Sequence, residues 1–234
     1  MQKEREINHL RARFTSMTSH EFGNPLTSIL LCLEQLNNNN FVENEGKIFV
    51  KSATEAAQRM QILVKDIIAL GKADSGNFSF KPIQLKLHQF CQELIEELEI
   101  NRQKRINLLD CSERQSFLLD PKLLHHILSN LLTNALKYSL ETEIVELEIS
   151  SHLDRQQVIF KIKDRGIGIP EEAQKYLCQS FYRADNVGDI AGSGLGLSIV
   201  KKSVDLHRGI LEIESKQGIG TTMRVILPIT DNLD

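Results

Sequence analysis

At 234 residues the chain has room for one mid-sized domain and a smaller element, and its 41% hydrophobic and 25% charged residues are ordinary for a globular protein. A net charge of −3 leaves no basic surplus to neutralise phosphates, which argues against a nucleic-acid binder, and Lys201-Lys202 is too short a cluster to change that. The four cysteines, at 32, 91, 111 and 178, form no Cys-x-x-Cys pair, so neither a structural zinc site nor a disulfide framework is expected and a reducing, cytoplasmic setting fits best.

No apolar run approaches the length needed to cross a bilayer, and the opening MQKEREINHLRARF does not read as a signal peptide. A helical pattern is already running at the first residues. The chain is therefore expected to be a piece of a longer protein, with any membrane anchor upstream of it.

Residues 1–74 read as two long helices. Ile7, Leu10, Phe14 and Met17 follow a three-four spacing, continued by Phe22, Leu26, Ile29, Leu33 and Leu36. The polar stretch from Asn37 through Gly46 predicts a hairpin loop. The second helix carries Ala53, Ala57, Met60, Val64, Ile67 and Leu70, and Gly71 with Asp74-Ser75-Gly76-Asn77 is expected to end it. A lone two-helix hairpin cannot bury such stripes, whereas pairing with a second copy gives a four-helix bundle. A homodimer is the expectation.

After a linker at 75–80, the pattern over 81–230 changes to mixed helices and strands. Ile83-Leu85-Leu87, Val145-Leu147-Ile149 and Val158-Phe160-Ile162 alternate as half-buried strands should. Ile210–Ile213 and Met223-Val225-Leu227 read as an antiparallel pair around Gly218 and Gly220. Helices are predicted near 88–102, 121–138, 171–179 and 195–207. One sheet with helices packed on one face is implied.

Four segments of this second part carry chemistry. The first lies on a helix begun by Asp120-Pro121, where Asn130 and Asn134 share a face and Lys137 follows one turn later. Neutral amide oxygens suit Mg²⁺, a hard ion that shares phosphate oxygens and keeps several waters, and Lys137 reaches phosphates as a point charge. By itself the same helix reads equally well as an amphipathic helix with a wet polar face. The second segment, Asp164-Arg165-Gly166-Ile167-Gly168, follows a strand; its glycines admit a close ligand, and its aspartate can accept from an exocyclic amine. The third, Phe181-Tyr182-Arg183, pairs aromatics with a mobile cation. The fourth, Gly192-Ser193-Gly194-Leu195-Gly196, opens a helix whose first amides favour a phosphate. Its spacing is not that of a dinucleotide fingerprint, no strand immediately precedes it, and a Walker A loop is absent.

Taken together and in this order, the segments resemble the N, G1, F and G2 boxes of the histidine-kinase ATP-binding domain. The wider group includes heat-shock chaperone, mismatch-repair and type II topoisomerase ATPases. The resemblance spans about residues 120–228, ending in Gly218-Ile219-Gly220-Thr221-Thr222. It implies that Asp164 holds the adenine amine, that Asn134 with Asn130 ligates Mg²⁺, and that Lys137 and Tyr138 face the phosphates. Gly194 and Gly196 would cap a lid, and Gly166, Gly168, Arg183, Gly192, Leu195 and Thr222 would complete the nucleotide site.

Phe14–Leu30, FTSMTSHEFGNPLTSIL, resembles the same family's H box, with Glu21 after His20 and Pro25 five residues on. At about 100° per residue His20 lies on the flank of the apolar stripe, where a nucleophile that must meet ATP carried by another domain belongs. Glu21 is placed to hydrogen-bond the ring proton, and Pro25 is expected to bend the helix by crowding the Glu21 carbonyl. Where the family usually has Arg or Lys and then Thr, this chain has Gly23 and Asn24. Asn24 still offers a polar group one turn from His20, suited to orienting a water. His9 and His207, by contrast, read as solvent-facing decoration.

The resemblance thus implies an α+β chain: a hairpin that forms a four-helix bundle in the dimer, then a Bergerat-type α/β sandwich. Its expected activity is a protein-histidine kinase using Mg-ATP, with phosphorelay to a response-regulator receiver and phosphatase action on it. An ATPase of the same fold is a rival, but such enzymes carry Glu as water-activating base where this chain has Asn130. A non-enzymatic nucleotide-binding scaffold is the other, favoured by Gly23 and disfavoured by the intact glycine motifs.

Overall fold

In the computed structural model the described residues are 22–37, 43–74, 80–99, 104–152, 154–188, 190 and 192–229. The chain divides into two compact units, Met1–Lys72 and Ala73–Asp234.

The first unit contains helix α1 over 22–37 and most of α2, Glu43–Asp74. The polar interruption is shorter than the sequence predicts, because α2 already includes Gly46. Likewise Gly71 lies within α2, which ends at Asp74. Ala56 and Leu63 are buried, whereas Leu26, Leu33 and Val64 from the predicted stripes are exposed, as are Leu30, Leu31, Ile48, Val50 and Ile68. The expected bend at Pro25 involves the carbonyl of Glu21, which lies outside the described residues. Among the described residues, no helix is long and apolar enough to cross a membrane.

The second unit is a two-layer α/β sandwich. Its five-stranded sheet runs in the order β2 (Ile106–Cys111), β4 (Val145–His152), β5 (Gln157–Asp164), β7 (Gly220–Pro228), β6 (Ile210–Lys216). The β2–β4 pair is parallel and the other pairs are antiparallel. Strands β1 (Ile83–Lys86) and β3 (Ser116–Leu119) form a separate antiparallel pair. Helices α3 (Leu87–Glu99), α4 (Pro121–Tyr138) and α6 (Gly196–Leu206) contribute to one core with the sheet, and α5 is short, Glu171–Gln174.

Strand periodicity explains that core. Val145, Leu147 and Ile149 on β4, Val158, Phe160 and Ile162 on β5, and Met223, Val225 and Leu227 on β7 alternate inward. They meet Leu124, Ile127, Leu128 and Leu131 of α4 and Val200 and Val204 of α6. The intervening residues form an open, charged face, where Lys161 pairs with Glu148 at 3.0 Å and Arg224 with Glu212 at 2.9 Å.

Candidate active site

Helix α4 is fixed at both ends. Asp120 caps its start, accepting from the amides of Lys122 (2.9 Å) and Leu123 (3.1 Å), and Pro121 supplies a first helical residue with no amide to satisfy. At the other end Arg105 donates to the carbonyl of Leu136 in the last turn (3.3 Å), an acceptor that a helix terminus leaves open, and to those of Leu140 and Glu143 (3.1 Å) beyond it. The half of α4 that carries Asn130, Asn134, Lys137 and Tyr138 is thereby held in place.

The loop after β5 lies against that end. The amide of Ile167 donates to the Tyr138 carbonyl at 3.1 Å, and the amide of Gly218 donates to the Ile167 carbonyl at 2.7 Å. Gly166 and Gly168 are required by this packing: a methyl group on either would collide with backbone, of Tyr138 and Lys216 respectively, and Gly168 has φ +62°. Asp164 anchors the loop, its Oδ1 accepting from the amides of Gly166 (2.8 Å) and Thr221 (3.3 Å). Burial pushes its pKa above the ordinary carboxylate value, against the opposing pull of those two bonds.

The segment before α6 closes over the same region. A methyl on Gly196 would lie 2.7 Å from Asn130 Oδ1 and 3.9 Å from Asn134 Nδ2, so both amide heads converge there. A methyl on Gly192 would lie 2.6 Å from Lys137 Nζ, which donates to the Tyr138 hydroxyl at 3.2 Å. The Phe181 amide donates to the Gly194 carbonyl at 2.9 Å, with Phe181 itself at φ +66°, a conformation uncommon outside glycine. Leu195 is buried beneath this segment at 1% exposure.

The structure therefore brings Asn130, Asn134, Lys137, Tyr138, Asp164, Gly166, Gly168, Gly192, Gly194, Leu195 and Gly196 together. Arg183 belongs to the same neighbourhood, but its guanidinium is committed to nearby backbone, donating to the carbonyls of Gly192 (3.2 Å), Gly188 (3.5 Å) and Ile190. Thr222 requires correction. It pairs with Lys163 on the open face of the sheet, and its neighbour Thr221 shares the core face with Asp164 and bonds to it. One residue along a strand reverses the face. His207 also requires correction: at 4% exposure it is buried, at the end of α6.

Ser215 was not anticipated. Its hydroxyl receives the Ile169 amide (2.9 Å), donates to the Gly220 carbonyl (2.9 Å) and meets the Thr221 hydroxyl (2.9 Å), so it joins the glycine loop to the β6–β7 turn. No sequence signal marks a serine whose partner lies 46 residues away.

The donor set fits Mg²⁺ bound together with a nucleotide. Asn130 commits its amide nitrogen to the His126 carbonyl at 2.8 Å, which leaves Oδ1 as the atom directed at the Gly196 cradle. No group of three or more His, Cys, Asp or Glu able to hold a metal occurs among the described residues. An ion here would draw its remaining ligands from phosphate and water, the habit of Mg²⁺.

His20 and Glu21 lie outside the described residues. Asn24 is exposed on α1, and its carbonyl accepts from the Ser28 hydroxyl at 3.1 Å.

Comparison with known proteins accounts for both units. Residues 10–76 match the family described as His Kinase A (phospho-acceptor) domain. Residues 119–231 match the Histidine kinase-, DNA gyrase B-, and HSP90-like ATPase family. The chain is 29% identical over 231 residues to the sensor histidine kinase WalK of Bacillus subtilis (strain 168), covering 97% of this chain and 38% of that protein. It is likewise 29% identical over 230 residues to the sensor protein kinase WalK of Staphylococcus aureus, covering 97% of this chain and 55% of that one. The chain thus spans less than two thirds of the length of these relatives. Among solved structures, the Acinetobacter baumannii histidine kinase AdeS superposes with a TM-score of 0.69 at 20% identity, over 91% of this chain and 98% of that one. The mycobacterial sensor histidine kinase MprB gives 0.55 at 26% identity, over 64% of this chain and 98% of that one. With a phosphoacceptor domain and an ATPase domain in succession, the chain belongs to the histidine kinases and represents their catalytic core.

Proposed function

We propose that the chain acts as a homodimer that transfers the γ-phosphoryl group of ATP to His20 and then to an aspartate of a response-regulator receiver domain. The observation that carries this reading is the convergence of Asn130, Asn134 and Lys137 with the Asp164 loop and the Gly192–Gly196 segment. Family membership supplies the acceptor domain that an isolated ATPase lacks.

Asp164 accepts the adenine amine, and Lys137 neutralises phosphate charge. Asn130 and Asn134 would hold Mg²⁺, which offsets negative charge on the phosphates when bound. The lone pair of one His20 ring nitrogen attacks the γ-phosphorus while Glu21 holds the proton on the other nitrogen. The N–P bond forms, the bond from the γ-phosphorus to the β,γ-bridging oxygen breaks, and ADP leaves with that electron pair. Catalysis is then mostly positioning and charge neutralisation. The full-length structure of ShkA with AMPPNP, 21% identical with a TM-score of 0.67, is a precedent for this fold with a nucleotide analogue.

Incubation with γ-labelled ATP and Mg²⁺ tests the proposal. The expected result is acid-labile label on the protein with release of ADP, abolished in His20→Ala while nucleotide binding persists. Label on the His20→Ala protein would sink the acceptor assignment. Steady phosphate release without protein labelling would favour the ATPase rival.

A further inference from the structure

Helices α4 and α6 run antiparallel, and two contacts at opposite ends fix their relative slide. At the site end, Gly196 backs onto Asn130 and Asn134. At the far end, the backbone amide of Asp120, the cap of α4, donates to His207 Nε2 at 3.3 Å. The other ring nitrogen, Nδ1, bonds to the Ser203 carbonyl at 2.9 Å. An amide N–H cannot accept and a carbonyl cannot donate, so the two partners select one species: neutral imidazole with its proton on Nδ1. Burial holds the His207 pKa below the ordinary histidine value, against the pull of the Ser203 carbonyl and the Asp120 charge. The Phe80 ring meets the imidazole edge-on at 5.1 Å between centroids, and the Lys81 amide donates to Asp120 Oδ2 at 2.7 Å. Three segments of the second unit, at residues 80–81, 120 and 203–207, thus meet around one buried ring.

We propose that His207 is a positioning residue for the nucleotide site, acting through α6 by fixing the slide of Gly196 along Asn130 and Asn134. Helix α6 has 11 residues, so the strut stands about 16 Å from the atoms it positions. A rigid helix transmits an axial shift with little loss. A shift small enough to leave the core intact still displaces Gly196 from the amides. The strut does not depend on the identity of the phosphoryl acceptor, but it rests on α4 and the lid forming a nucleotide site.

Two conservative variants of the whole chain separate a strut from a space-filler. Glutamine at 207 places an acceptor where Nε2 lies and keeps the tie to Asp120. Asparagine places its polar atoms near Nδ1, keeps the Ser203 bond and loses the tie. Binding of a non-hydrolysable ATP analogue with Mg²⁺ should be within twofold of wild type for His207→Gln and about fivefold weaker for His207→Asn, the loss of one buried hydrogen bond. Equal affinities for the two variants would overturn the proposal. Ring-nitrogen NMR of the wild-type chain supplies a readout that no variant's folding can obscure. It should report neutral imidazole with the proton on Nδ1 at pH 7, and a protonated or Nε2–H ring overturns the strut. Failure of the wild-type chain to bind the analogue would instead refute the nucleotide site, and with it the role assigned to the strut.

Discussion

The backbone amide of Thr221 donates to Asp164 Oδ1 at 3.3 Å, joining residues 57 apart in the chain. The amide of Gly166 donates to the same oxygen at 2.8 Å. Oδ1 thus builds the loop, and under the proposed function Oδ2 is the oxygen that meets the adenine amine.

Asp164→Asn tests that division. Asparagine retains an acceptor at Oδ1 and puts an NH₂ where Oδ2 was, so a donor faces the adenine amine. ATP-analogue affinity should fall by about tenfold or more with the fold retained. The pH dependence has a definite sign. The raised pKa of Asp164 means that the folded state holds its proton to higher pH than the unfolded chain does. Its contribution to stability is therefore full below the unfolded value and is lost as pH rises through the folded one. Without nucleotide, wild type should gain melting temperature relative to Asp164→Asn as pH falls into the acidic range. A difference that does not move with pH contradicts the buried carboxylate.

Gly196→Ala tests the amide cradle. The added methyl lies 2.7 Å from Asn130 Oδ1, and Asn130 cannot swing away without losing its 2.8 Å bond to the His126 carbonyl. Mg²⁺-dependent nucleotide binding should drop about tenfold, the scale of a lost charge-assisted contact, while binding in excess EDTA changes little. Combining Gly196→Ala with Asn130→Ala should cost less than the two losses added, because both act on one oxygen. Strict additivity would show that they act separately.

Much of this fold is legible in the sequence because the alternation of β4, β5 and β7 and the three-four spacing of α4 and α6 are local signals. The two missed strands lack such a signal. Ile106–Cys111 is exposed along most of its length at the sheet's edge, and Ser116–Leu119 spans four residues. Each is a strand because of a partner far along the chain, Val145–Ser150 and Ile83–Lys86 respectively. His207 reads as a surface residue because nothing nearby in sequence announces that Asp120 and Phe80 enclose it. Thr222 and Thr221 have the same side chain in neighbouring positions, and only strand register decides which one faces Asp164.

Dimerisation is tested on exposed residues, whose substitution spares the protomer's own core. Leu30 is 58% and Ile68 is 50% exposed in the single chain. A bundle with a second copy would cover such positions, each large apolar side chain contributing about 1.5–3 kcal/mol when fully buried. Sedimentation of the whole chain should report a dimer at micromolar concentration, and Leu30→Asp with Ile68→Asp should shift it to monomer. An unchanged dimer would place the interface elsewhere.

The remaining prediction separates the proposed transfer to His20 from the receiver phosphatase action that the sequence resemblance implies. Asn24 is exposed on α1 and follows His20 by four residues in the sequence, a spacing that in a continuous helix would put both on nearly one face. Its exposed amide is suited to orient a water for attack on a receiver's aspartyl phosphate, where placement supplies much of the barrier reduction. Transfer from ATP to His20 needs no such water. Asn24→Ala should therefore slow receiver dephosphorylation by about tenfold or more, a typical cost of lost positioning, while His20 labelling stays within about twofold. The competing account is that Asn24 only shapes the turn before Pro25. The Ser28 hydroxyl, however, donates to the main-chain carbonyl of Asn24 at 3.1 Å, and alanine retains that carbonyl. The local turn keeps this side-chain bond in the variant, so a change in both activities together has no ready structural cause. Measuring labelling and receiver dephosphorylation on the same Asn24→Ala preparation decides between them, and equal losses would favour the turn.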